Sequence, residues 1–256
     1  MIHPTAIIAP SAQIGEGVSI GPFSVIGDQV KIGAGTQVGA HVVVDRWTEI
    51  GCDNQIFQFA SVGAAPQDLK YCGEESWLII GDRNRIREFT TLHRGTADGG
   101  GKTVVGNDNL FMAYAHVAHD CMVHNRVVMA NAATLAGHVE VEDSAILGGL
   151  SAVHQFCRVG CHTMISGGAM VAQDVAPYTI AQGDRAKTVG INLIGLKRRA
   201  FSEATIRGIK NSYRLMFRAG LRLEEALAKI ESDYGTIPEV QHFATFIKES
   251  QRGIAR

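Results

Sequence analysis

Residues 14–37 read Ile14-Gly-Glu-Gly-Val-Ser, Ile20-Gly-Pro-Phe-Ser-Val, Ile26-Gly-Asp-Gln-Val-Lys, Ile32-Gly-Ala-Gly-Thr-Gln. An aliphatic residue returns at every sixth position. The spacing extends back to Ile2 and on to Val62, resumes at Ile80, Ile86 and Leu92, and runs unbroken from Val105 to Val171. A helix needs apolar residues three and four apart, and a half-buried strand needs strict alternation. Period six satisfies neither. It suits short strands laid on the flat faces of a coil, with the branched residue inside, a small residue at the fifth place beside it, and glycine at the tight corner or close backbone approach. Three hexads close one triangular turn, so residues three hexads apart stack in a parallel ladder. One coil cannot bury its own apolar side chains, but a stack of coils forms a continuous narrow core. A glycine-rich sandwich with accidental periodicity is the competing reading, and the length of the run weighs against it. The expected fold is an all-β left-handed parallel β-helix over residues 1–189, followed by a C-terminal α-helical domain over 190–256.

Composition agrees. Hydrophobic residues make up 46% of the 256 and aromatics only 7%, which fits a slender Ile/Val core. The 29 glycines have no three-residue period, so collagen is excluded. No apolar run is long enough to span a bilayer, and the start, MIHPTAIIAP, lacks a signal-peptide pattern. The five cysteines show neither CxxC spacing nor a disulfide framework, and read as reduced residues of a cytoplasmic protein. Net charge is −1, but residues 190–256 carry twelve Lys/Arg against seven Asp/Glu. That basic tail lacks the aromatic interleaving of a nucleic-acid surface. An acidic protein partner suits it better.

Two excursions interrupt the repeat, near 66–78 and 94–103. Insertions in a repeat array form loops on one face, often the binding face. Gln67, Asp68, Lys70 and Tyr71 are candidate binding residues in the first. The second, HRGTADGGGKT, is no P-loop, because Gly101-Lys102-Thr103 lacks the preceding GxxxxG spacing. His3 and His41 read as surface residues. AQDVAPYTIAQGDRAKTVG leads away from the coil, and helical periodicity begins at Asn192, with Ser202 as an N-cap and Pro238 in the first turn of a final helix. This domain closes the stack or joins neighbouring chains.

His116, His119 and His124 lie within AYAHVAHDCMVHN, and stacking by three hexads brings His138 and His154 toward the same corner. Asp120 is placed to orient His119. Two chemistries fit. His119 and His124 with His93 or His138 could hold zinc, as in a trimeric coil carbonic anhydrase. Alternatively, a histidine base takes the proton of a hydroxyl that attacks an acyl carbonyl. Spacing alone does not choose.

The hexads together with QDLKY, IGDRNRIRE, HRG, AHVAHDC, NAATLAGH, AVHQFC, VAQD and GLKRR resemble the UDP-N-acetylglucosamine O-acyltransferases of lipid A biosynthesis, over nearly the whole chain. The resemblance implies a cytoplasmic homotrimer that moves an (R)-3-hydroxyacyl group from acyl carrier protein to the 3-hydroxyl of UDP-N-acetylglucosamine. It implies no metal and no bound cofactor, the phosphopantetheine arriving on the carrier. His119 then corresponds to the general base, Asp120 to its orienting partner, and the Gly137 N–H to the oxyanion donor. His138 would hold the sugar nucleotide, His116 and His154 would support the pocket, and Gln155 would contact donor or sugar. Gln67, Asp68 and Lys70 match acceptor-pocket residues, with Lys70 and Arg198 near phosphate and Asn192 near the nucleotide or acyl chain. Gly167 matches the position that limits acyl length. Arg207, Lys210, Arg214 and Arg218 are expected to dock the acidic carrier. The chain departs from the family at Ile194, where NxEGL places a carboxylate. Acylation of a UDP-diaminosugar 3-amine is the enzymatic alternative, and a γ-type carbonic anhydrase or a non-enzymatic binding scaffold are weaker ones.

Overall fold

The computed structural model describes residues 1–256. Short strands, mostly of two residues, form three parallel sheets of nine, eight and ten strands, here called the first, second and third. As far as Val171 the chain visits them in strict rotation as a left-handed β-helix. Ile7 pairs with Val25 in the first sheet, Gln13 with Lys31 in the second, and Ser19 with Gln37 in the third, a constant step of three hexads. The excursions lengthen that step without displacing the anchors, although a bulge after Val62 sets Ala64 against His93. Val62 pairs with Leu92 across the first excursion, and Leu92 with Val117 across the second. Anchor still meets anchor on both sides of each insertion.

The hexad anchors fill the prism interior. Ile26, Val44, Leu92, Phe111, Val117, Leu135 and Ile165 are essentially inaccessible. The small residue four places after each anchor is buried too, as at Ser24, Thr36 and Ala60. Where it is asparagine it rungs the stack: Asn54 Oδ1 accepts from the Asn84 N–H at 2.9 Å, and Asn84 Oδ1 from the Asn109 N–H at 2.9 Å. Buried amides are retained because each is paired.

The corners are built differently from the sequence expectation. The residue three places after each anchor takes φ near +60°, and it is seldom glycine: Phe23, His41, Trp47, Asp53, Phe59, Arg83, Phe89, Tyr114, Asp120, His138 and Phe156 all do so. A non-glycine residue there costs roughly 1–2 kcal/mol. Its N–H offsets the cost by bonding to the rung below, as His41 does to the Pro22 carbonyl at 2.9 Å. The glycine directly after an anchor serves the other role. A Cβ at Gly33 would lie 2.5 Å from the Gly51 carbonyl carbon. It permits rungs to approach, not the chain to turn.

Each prism edge has its own chemistry. Between the third and first sheets, Phe23, His41, Phe59, Phe89 and Tyr114 stack in a ladder with ring centroids 4.9–5.2 Å apart. His41 is thus a rung of an aromatic column. Between the second and third sheets, Arg83 pairs with Asp108 at 2.7 Å. The remaining edge, between the first and second sheets, carries both excursions.

The segment after Val171 stays with the coil longer than its sequence suggests. Thr179–Gln182 joins the third sheet beside Met164–Ile165, and Lys187–Ile191 folds back on it as the only antiparallel pair. This hairpin pairs the last rung's open edge. Four helices follow: α1 (Leu193–Arg198), α2 (Glu203–Phe217), α3 (Leu223–Tyr234) and α4 (Pro238–Lys248). Ser202 caps α2 through the Thr205 N–H, and Pro238 opens α4. Ile209, Met216, Ile230, Phe243 and Phe246 bury a second core against Ala176 and Tyr178 of the coil. No helix is long and apolar enough to cross a membrane.

Candidate active site

His119 and Asp120 turn the corner from the first to the second sheet, directly after the strand His116–Val117. Because Asp120 adopts φ +59°, its carboxylate folds back toward the preceding residue, and Oδ2 lies 2.7 Å from His119 Nδ1. The carboxylate is fully buried. Its oxygens also accept from the Thr96 N–H and the Thr96 hydroxyl, each at 2.7 Å. The Asp120 N–H donates to Thr103 Oγ1 at 2.8 Å. The second excursion therefore clamps the aspartate from both ends. Gly99 lies so close over the carboxylate that a Cβ there would collide with it. With Nδ1 committed to Asp120, His119 keeps Nε2 for chemistry.

One rung on, Gly137 lies under the His119 ring. A Cβ at 137 would stand 2.6 Å from Cε1 and 2.8 Å from Nε2. The Gly137 carbonyl accepts from the Phe156 N–H, while its own N–H donates to no protein group. An unpaired donor beside an imidazole is the arrangement an oxyanion needs. His138, next in chain, crosses His119 edge-on at 5.2 Å, stacks on Phe156 at 4.4 Å, and holds Nε2 3.6 Å from Asp120 Oδ2.

Beside this edge, the outer face of the first sheet carries His116, whose Nδ1 is 2.6 Å from Thr91 Oγ1. Buried His93 crosses it at 4.8 Å. Burial holds both imidazoles below their ordinary pKa, His93 down to about 4. Farther along the same face, Thr134, Ala136, Ala152, His154, Met170 and Ala172 line an open groove of about 730 Å³. His154 Nδ1 stands 3.2 Å from Arg252 Nη2, and Gln155, next in the chain, is exposed. Gly167 sits across the face, at the corner between the third and first sheets, with only Gly149 beside it. The anchors 117, 135, 153 and 171 put it three rungs from His119, about 14 Å along the stack. The groove lies over the rungs between the two.

Gln67, Asp68 and Lys70 occur on the first excursion, on the same edge as His119. Asp68 Oδ1 accepts from the Lys70 N–H at 2.9 Å, and the Gln67 and Lys70 side chains are exposed. The excursion is tied down by Arg94, which bonds to the Tyr71 hydroxyl at 3.0 Å and to the Gly63 carbonyl, and lies 5.2 Å over the Trp47 ring. Sequence reading passed over Arg94 and Thr96 as structural groups. Their only signal was the tetrapeptide HRGT directly after an anchor.

Asn192, Arg198 and His124 are not gathered at this edge. The Asn192 amide donates to the His162 carbonyl at 2.9 Å and caps α1 through the Gly195 N–H. That places it, with the helix carrying Arg198, at the edge opposite the first sheet. Ile194 is two-thirds exposed there, and Arg198 has no ion-pair partner. His124 also turns away, onto the second sheet, where it lies 3.2 Å from Glu140. The pairing of His119 with His124 in a zinc site does not form.

The family model described as Udp N-acetylglucosamine O-acyltransferase, domain 2, matches residues 174–255, and the bacterial transferase hexapeptide model matches residues 11–46. The acyl-[acyl-carrier-protein]--UDP-N-acetylglucosamine O-acyltransferases of Janthinobacterium sp. (strain Marseille) and Myxococcus xanthus (strain DK1622) are each 54% identical over all of this chain and 99% of theirs. Among solved structures, LpxA from Acinetobacter baumannii superposes with a TM-score of 0.97 at 47% identity, covering 100% of this chain and 99% of that one. The Arabidopsis UDP-N-acetylglucosamine acyltransferase does so at 0.88 and 40%, with both chains fully covered. With relatives 54% identical along its full length and solved structures that superpose on both the coil and the helical tail, the chain belongs to the UDP-N-acetylglucosamine O-acyltransferase family.

Proposed function

We propose that this protein transfers an (R)-3-hydroxyacyl group from acyl carrier protein to the 3-hydroxyl of UDP-N-acetylglucosamine, the first step of lipid A biosynthesis. The observation that carries the reading is the His119–Asp120 pair set against the free Gly137 N–H. His119 Nε2 takes the proton of the sugar hydroxyl as its oxygen attacks the thioester carbonyl. The oxyanion forms against the Gly137 N–H, whose fixed dipole needs no reorganisation as charge develops. Collapse breaks the C–S bond, and the thiolate of the carrier's phosphopantetheine leaves with the proton held by His119. The scheme uses no metal and no resident cofactor.

His138 and Gln155 flank the reacting sugar, while Gln67, Asp68 and Lys70 face it from the first excursion. Asn192 and Arg198 stand at the opposite edge of their own chain, so they reach a nucleotide only in a neighbour's site. This supports a closed homotrimer, each cleft lined by two chains. The groove over the first sheet, open on its outer side, would take the acyl chain as far as Gly167. Arg207, Lys210, Arg214 and Arg218 share one exposed face of α2 and have no acidic partner, which suits an acidic carrier protein. A carrier-linked donor places the reaction in the cytoplasm.

The deciding assay offers UDP-N-acetylglucosamine and its 3-amino analogue at equal acyl-carrier concentration. Turnover of the hydroxyl acceptor is expected. Exclusive turnover of the amino compound would move the assignment to an N-acyltransferase.

A further inference from the structure

A second cluster of reactive side chains lies where the coil meets the helical domain. Glu142 follows the strand Glu140–Val141 of the second sheet, Cys161 follows Arg158–Val159 one rung on, and His242 projects from α4. One ligating atom from each falls within 4.8 Å of the other two. Glu142 Oε2 accepts from the Cys161 backbone N–H at 2.8 Å and lies 2.8 Å from His242 Nε2. The backbone bond fixes the carboxylate, the kind of support that orients metal ligands. Arg158 stands 3.7 Å from the other oxygen, Oε1, and its Nε is taken up by Glu140 at 2.9 Å. Oε2 is left facing the thiol and the imidazole.

We propose that Glu142, Cys161 and His242 bind one zinc ion, with water in the fourth position, and that this ion clips α4 to the coil. Thiolate, imidazole and carboxylate are the ligand types zinc takes, and the set excludes hard cations such as magnesium. Charge favours the ion. Thiolate and carboxylate together offset its two positive charges, so the half-buried complex is neutral and escapes the cost of an unpaired buried charge. Glu142 is 12% exposed and His242 41%, so the site is recessed yet reachable from solvent. Tetrahedral coordination holds a nitrogen and an oxygen ligand roughly 3.3 Å apart. The Nε2–Oε2 pair therefore opens by about half an ångström, within reach of a side-chain adjustment on α4. On binding, the Cys161 thiol proton leaves to solvent and His242 Nε2 gives up its hydrogen. The catalytic groups take no part.

Full-length protein stripped with chelator is titrated with zinc chloride by calorimetry, and its melting temperature is followed. One equivalent per chain is expected, with a rise of about 5–10 °C at a hundredfold excess over Kd. Cobalt(II) in place of zinc should give a thiolate charge-transfer band that Cys161→Ser abolishes. The Cys161→Ser/His242→Gln variant should lose saturable binding while keeping its acyltransferase activity. His119, His138 and Asp120 form the other three-ligand group in the molecule. Binding that survives the double variant but is lost in His138→Gln would place the ion there and overturn the proposal. So would a stripped wild-type protein that takes up no zinc.

Discussion

Replacing Gly137 by alanine separates the position of the proposed base, His119, from the presence of the proposed oxyanion donor. The backbone N–H remains, and position 137 has no positive φ that would exclude a side chain. The added methyl, however, would stand 2.6 Å from His119 Cε1 and 2.8 Å from Nε2. Ordinary carbon contacts begin near 3.5 Å, so the ring must retreat by about 1 Å. It cannot simply translate, because Nδ1 is tied to Asp120 at 2.7 Å and Asp120 is held by Thr96. It pivots about that bond, and Nε2 moves farthest. A misplacement of about 1 Å at a reacting group costs roughly 10²-fold in rate. Overpacking adds about 1–3 kcal/mol of destabilisation. The expected result is a folded Gly137→Ala enzyme with kcat down about 10²-fold and the KM for UDP-N-acetylglucosamine changed little. His119→Ala alone should cost roughly 10²–10⁴-fold. In that background the methyl at 137 has no ring to meet, so adding Gly137→Ala should cost almost nothing further in rate or stability. Steady-state kinetics with acyl carrier protein, beside thermal melts of the four proteins, measures the cycle. A folded Gly137→Ala enzyme within threefold of wild-type kcat would refute the reasoning, as would additive losses in the double variant.

Thr96→Val removes one of the two bonds that Thr96 donates to the buried Asp120 carboxylate and should lower kcat about tenfold at unchanged acceptor KM, with Thr96→Ser restoring it; equal losses in both variants would argue against the clamp. Gly167→Met should shift the preferred donor several carbons shorter, since each excluded methylene forfeits about 0.8 kcal/mol, and a kcat/KM series across chain lengths measures the shift. Its Cβ would stand 3.3 Å from the Gly149 carbonyl oxygen, so the coil accepts it with a small adjustment. Charge reversal at Arg207, Lys210 and Arg214 should raise KM for the carrier while leaving the acceptor KM alone, and an unchanged carrier KM at low salt would remove α2 from the docking surface. His93 is buried with its pKa pushed down to about 4. The unfolded chain, with a pKa near 6.5, then binds more protons between those values, so His93 withdraws stability as pH falls from 6.5 toward 4. His93→Leu should flatten that part of a melting-temperature profile.

What the sequence alone determined was periodic. Ile14, Ile20, Ile26 and Ile32 at a step of six set the three faces, and the step of three hexads set which residues stack. From that arithmetic His119, Gly137 and His138 were already neighbours, as the coil places them. The helical tail was legible for a similar reason: Ser202 and Pro238 act on their own first turns. The rest depended on contacts between distant segments. No local pattern told that the Thr96 hydroxyl would close on Asp120, because the loop's path is set by where its ends rejoin the coil. Nor did it tell that Thr179–Gln182 and Lys187–Ile191 would pair, since their partner is the exposed last rung. The corners mark the same boundary. Glycine frequency suggested glycine turns, yet Phe23, His41 and Phe59 hold the strained φ, because each is supported by a stacked neighbour one rung away. The face on which a side chain sits follows from spacing along the chain. The group it meets follows from how the stack closes.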